Sequence, residues 1–105
     1  QKIALKEKID ESRELAQIVQ KSVTSQLQKT HSQTRDRGVK QAPFIVLIGA
    51  NMPSILSEVS FVSNPSDEKL LKSSSYRQKL AEALCRGIEA YAEALGGIKT
   101  ARNLP

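Results

Sequence analysis

The sequence predicts an α/β fold that is part of a larger domain. Apolar residues recur at helical spacing near both ends of the chain, and two short apolar runs lie between them. The first run is apolar on both faces, as in a strand internal to a sheet. Two strands make a poor independent sheet, so this one calls for cover from elsewhere. The predicted order is a long helix, two short strands, a short helix and a long helix.

Residues 1–29 read as the first helix. Leu5, Ile9, Ala16, Val19, Val23 and Leu27 recur about every 3.6 residues or its multiples, Leu15 and Ile18 widen the stripe, and no Gly or Pro interrupts it. Residues 30–40 are polar, contain Gly38 and read as a loop. Pro43 disfavours helix just before the first strand. That strand is Ile45, Val46, Leu47 and Ile48.

The connection 49–54 has about six residues, too short for a parallel crossover of a dozen or more. Neighbouring strands would therefore run antiparallel. In the second strand Ile55, Ser57, Val59 and Phe61 share one face, and Leu56, Glu58, Ser60 and Val62 the other. Met52-Pro53 shapes the turn between the strands.

Asn64 then suits a helix cap, Pro65 the first helical position, and Asp67 and Glu68 the positive helix end. This short helix should run to about Lys72, with residues 73–75 breaking it and offering a second cap. The last helix, about 76–95, places Leu80, Leu84, Ile88, Tyr91 and Leu95 on one face. Gly96-Gly97 is expected to stop it, leaving residues 98–105 as a tail or linker.

The 105 residues are enough for one small domain. Gln1 leads directly into charged sequence with no Met start, as expected of a processed product or an excised fragment. No apolar run approaches the roughly 20 residues of a transmembrane segment. The net charge of +5 suits an anionic partner. The basic residues are spread along the chain without aromatic interleaving, so no nucleic-acid surface is marked. Cys85 is the single cysteine, which excludes an intrachain disulfide and a Cys-rich zinc module. Beside Leu84 it reads as a small packing residue rather than a nucleophile.

Glu58 is the odd residue. An acid within an apolar strand costs desolvation energy, and active sites are where such costs are commonly accepted. By pattern alone Glu58 is a structural glutamate that pairs with a Lys or faces solvent. Its surroundings change that reading. ESRELA lies in the long helix, Arg37-Gly38-Val39 precedes the first strand, and VLIGANMP forms the turn. The Glu58 strand reads ILSEVSFVSN, and Ser63-Asn64-Pro65 leads to YRQKLAEALCRGIEAY. From roughly Glu11 to Leu95 these pieces resemble, in order and spacing, the zinc-dependent N-acetylmuramoyl-L-alanine amidases.

The resemblance implies that residues 1–97 are the C-terminal portion of an amidase catalytic domain, a three-layer α/β/α domain with a mixed sheet. It implies hydrolysis of the amide between N-acetylmuramic acid and L-alanine in peptidoglycan, at a periplasmic or extracellular site. Glu58 would be the catalytic acid/base beside the zinc. The family's zinc ligands, a His, a Glu and a second His, are expected upstream, in an N-terminal half of the same domain that this chain lacks. The chain alone should then be inactive. His31 matches no ligand position and is expected to be an exposed loop residue. Arg37 is either a solvated turn residue or a contact for the peptide stem's carboxylates. The alternative from another class is a non-catalytic α/β interaction module that binds an anionic cell-envelope polymer or a protein partner.

Overall fold

The computed structural model describes residues 2–41, 45–60 and 63–103, and side chains for 5–41, 47–60 and 63–96. The elements are α1 (Lys2–Gln28), α2 (Ile45–Ile48), α3 (Pro65–Lys72) and α4 (Ser74–Asn103). The long helices α1 and α4 pack antiparallel. Val19 faces Gly87, the Ser22 hydroxyl donates to the Ala83 carbonyl at 2.9 Å, and Arg86 donates to the Gln26 side chain at 3.0 Å. Short α3 packs on α4. Leu27, Tyr76 and Leu80 form the core, flanked by Val23, Leu70, Leu71 and Leu84.

Gly87 sets the closeness of the crossing. A Cβ there would stand 2.8 Å from the Val19 Cα. The buried face of α4 is accordingly Tyr76, Leu80, Ala83, Gly87 and Tyr91. Ile88, expected on that face, is 57% exposed, and Leu95 is also exposed. Small residues, rather than the largest apolar ones, lie where the two backbones approach. The Tyr91 hydroxyl is buried without a hydrogen-bond partner among the described residues. Burial, and then the charges of Glu11 and Glu14, push its pKa up.

The predicted α/β fold, with its mixed sheet in a three-layer α/β/α arrangement, is overturned. No strand forms among the described residues. The first predicted strand is the single helical turn α2, and residues 53–60 are without regular structure and pair with no ladder. Without a ladder, the antiparallel arrangement expected of the two strands has nothing to apply to. The reason is non-local. Ile and Val favour strands only where a neighbour completes the hydrogen bonds, and two short strands alone are marginal. A helical turn satisfies its backbone locally. The Lys8 ammonium adds to this by donating to the Leu47 carbonyl at 2.9 Å and the Ile48 carbonyl at 3.4 Å, the favourable sign for a helix C-terminus. Leu47 is half-buried and Ile48 is 66% exposed, so these two residues lack the cover that a strand internal to a sheet would have. Pro43, Phe61 and Val62 lie outside the described residues.

The local signals hold better. α1 forms as expected, but its stripe is covered at one end only. Val19 and Leu27 are buried, while Leu5 and Ile9 are exposed. Asn64 caps α3, accepting from the backbone N–H of Ser66 at 2.9 Å and of Asp67 at 3.2 Å, with Pro65 in the first turn. The second cap also forms. Ser73 Oγ accepts from the Tyr76 N–H at 3.3 Å, and α4 starts at Ser74. Gly96-Gly97 does not stop α4, which continues to Asn103. Glycine inside a helix costs about 1 kcal/mol relative to Ala but does not forbid the helix.

The chain spans 52 × 33 × 19 Å. Its thickness is that of about two helices. The radius of gyration, 16.0 Å, exceeds the roughly 13 Å of a compact domain of this size. A slab of this kind covers one side of each helix and leaves the other to solvent.

Candidate active-site groove

Helix α1 is the spine on which both loops are hung. Ser12 Oγ accepts from the Ser54 N–H at 3.0 Å, which fixes the start of the 54–60 segment. Arg13 donates to the Gln41 side chain at 3.2 Å, and Gln28 donates to the Thr34 carbonyl at 3.0 Å. Between them, Gln20 donates to the Asp36 carboxylate at 2.8 Å, and the Gly38 N–H donates to the same oxygen at 2.7 Å. Gly38 has φ +78°, a left-handed conformation that is strained for other residues. A wide groove results, walled by α1, the 30–41 loop, the 54–60 segment and the start of α3.

The hydrogen bonds to Asp36, first from Gln20 and then from Gly38, hold its pKa below the ordinary aspartate value. A group whose pKa is lowered on folding stabilises above its unfolded pKa and loses that effect as pH falls through the folded value. Acidification should therefore release the 36–38 turn. Titration of the Asp36 carboxyl by NMR should give a midpoint below that of a free aspartate, with Gly38 amide exchange accelerating as it protonates. An ordinary midpoint would show that the turn is not held this way.

Glu58 lies on the 54–60 segment and lines the groove. Its side chain is exposed, and it makes no hydrogen bond or ion pair among the described residues. The desolvation that its sequence context suggested is absent, because no sheet face forms around it. Arg37 lines the same groove from the opposite loop, is exposed, and interacts with other parts of the chain. The two predicted site residues thus share one groove.

His31 is half-buried rather than an exposed loop residue. Its ring meets Tyr76 edge-on at 5.1 Å, and its Nδ1 lies 3.0 Å from the Thr30 hydroxyl. The sequence carries no signal for this contact, which joins residues far apart in the chain. Cys85 is exposed and does not pack as expected. Its thiol donates to Glu89 at 3.5 Å. That hydrogen bond, and then the Glu89 charge, raise the thiol pKa and reduce its nucleophilicity.

A catalytic zinc needs about three protein ligands. No three His, Cys, Asp or Glu side chains come together among the described residues. The described side chains do not fit a zinc ion. No helix among the described residues is long and apolar enough to cross a membrane.

Comparison with known proteins gives this geometry a family. Residues 3–90 match the family described as N-acetylmuramoyl-L-alanine amidase. The uncharacterized protein YqiI of Bacillus subtilis is 44% identical over 82 residues, covering 78% of this chain and 37% of that protein. An uncharacterized cell wall amidase of Bacillus anthracis is 45% identical over 85 residues, covering 81% of this chain and 15% of that protein. The N-acetylmuramoyl-L-alanine amidase AmiA of Salmonella typhimurium is 43% identical over 65 residues, covering 62% of this chain and 21% of that protein. No solved structure matches significantly. The chain thus spans about a third or less of the length of these relatives. The family match takes in α1, both loops, Glu58, α3 and most of α4, and on it the chain belongs to the N-acetylmuramoyl-L-alanine amidase family.

Proposed function

We propose that this chain is the C-terminal portion of the catalytic domain of a peptidoglycan hydrolase, which cleaves the amide between N-acetylmuramic acid and L-alanine. The observation that carries this reading is the family match across residues 3–90, which contains the whole groove and Glu58. An exposed carboxylate on a groove wall is accessible to a substrate and to water. Glu58 would take a proton from the attacking water as the carbon–oxygen bond forms. It would then deliver a proton to the amide nitrogen as the carbon–nitrogen bond breaks. The products are a muramic carboxylic acid and a free L-alanine amine. Arg37 would hold a carboxylate of the peptide stem.

The zinc implied by the resemblance is not accommodated by the described side chains. Its ligands would come from an N-terminal half of the same domain. The chain by itself should then be inactive. A peptidoglycan substrate sets the site of action at the cell envelope, periplasmic or extracellular.

The test is product analysis with the full-length protein on purified peptidoglycan. The expected product is a new α-amino group on L-alanine, with no new reducing sugar end. A cut inside the glycan or inside the peptide would overturn the assignment. Binding without cleavage would favour the non-catalytic interaction module.

A further inference from the structure

The groove is strongly cationic. Lys8, Arg13, Arg35, Arg37, Lys40 and Lys69 line it against only Glu58 and Asp67. Basic residues that are scattered in sequence thus outnumber acidic ones in the lining of one concavity. Some of these cations are already engaged, Lys8 with the end of α2 and Arg13 with Gln41. Arg35, Lys40 and Lys69 are different. Each is exposed, and none makes a hydrogen bond or ion pair among the described residues. Arg35 and Lys40 stand on the 30–41 loop, whereas Lys69 stands on α3. Like charges that outnumber the opposite charges in a cleft raise the local concentration of an anionic ligand.

We propose that Arg35, Lys40 and Lys69 form a carboxylate-recognition rim that selects peptide stems by their charge. The occupant is an oligopeptide with several carboxylates, held across the groove from the 30–41 loop to α3. This rests on the proposed amidase reading and adds to it a specificity device outside the reacting atoms. Separate cations, rather than one bidentate clamp, suit an extended ligand whose charges are spaced along a chain. A stem with amidated carboxylates loses the attraction but keeps its shape, so it is the discriminating probe.

The experiment uses the full-length protein and two muropeptides that differ only in free or amidated stem carboxylates. Binding is read by calorimetry, and turnover is measured separately. The unmodified protein should bind the free-carboxylate form more tightly, and the preference should shrink as salt rises from about 50 to 300 mM. Exposed ion pairs are individually weak, so each of Arg35→Gln, Lys40→Gln and Lys69→Gln should weaken binding about two- to fivefold. The triple variant should lose the preference, with KM raised, kcat nearly unchanged and the circular dichroism spectrum retained. Equal binding of both muropeptides by the unmodified protein would overturn the proposal. So would an unchanged preference in the folded triple variant, which would mark the three cations as ordinary solvated charges. If the protein binds with this preference yet cleaves neither muropeptide, the amidase reading fails while the rim stands.

Discussion

Replacing Glu58 with Gln in the full-length protein should lower peptidoglycan cleavage by at least about a hundredfold, within the 10²–10⁴-fold range of general acid/base groups. Glutamine keeps the size of the side chain and loses the proton-accepting carboxylate. The melting temperature should not move, because Glu58 is exposed and holds no partner among the described residues. Metal content should also hold, because Glu58 is assigned no ligand role. A purely structural glutamate gives the opposite pattern, with near-normal turnover. Turnover, metal content and melting temperature measured on one purified variant separate these cases. Near-normal turnover would remove the catalytic assignment, and loss of metal would move Glu58 into the ligand set.

The second large effect is on stability. Gly87→Ala should destabilise the chain, although alanine is the better helix former by about 1 kcal/mol. The added Cβ would meet the Val19 Cα at 2.8 Å, Val19 Cγ2 at 3.2 Å and the Ser22 Cβ at 3.3 Å. The nearest of these is backbone, so α1 and α4 must separate, which also strains the hydrogen bond from Ser22 to Ala83. Overpacking of this kind costs about 1–3 kcal/mol and at times more. At roughly 4–8 °C per kcal/mol for a domain of this size, the melting temperature should fall by several degrees. Gly96→Ala is the matched control. A Cβ added at Gly96 would meet nothing within 4 Å among the described residues, so the substitution should raise stability through helix propensity alone. Calorimetry on the pair should give opposite signs. A Gly87→Ala variant that melts higher would show that the crossing is looser than the structure has it.

What is legible in the sequence is local. The α1 periodicity and the Asn64-Pro65 start of α3 depend on residues within a few positions of each other, and both elements form as their signals predict. The failures all concern partners distant in the chain. Ile45, Val46, Leu47 and Ile48 have the composition of a strand, but a strand exists only beside another, and here the turn closes on itself. Periodicity assigns the α4 face to its largest apolar residues, yet the crossing selects Ala83 and Gly87. The usable signal is the spacing of small residues one helical turn apart. His31 reads as exposed because nothing near it in sequence announces Tyr76. The family resemblance fares better than the fold reading, because it rests on the order of several motifs rather than on periodicity.

The two helices that bury each other lie at opposite ends of the described chain. Val19 and Gly87 are 68 positions apart. A ribosome adds about 5–20 residues per second, so α1 leaves it on the order of 3–14 s before its partner residue on α4 is made. Until α4 is made, Val19 and Leu27 lack the cover that its buried face gives them. Folding of the core therefore waits on the synthesis of α4. A message truncated before α4 would lack Tyr76 and Leu80, and with them the cluster that Leu27 joins.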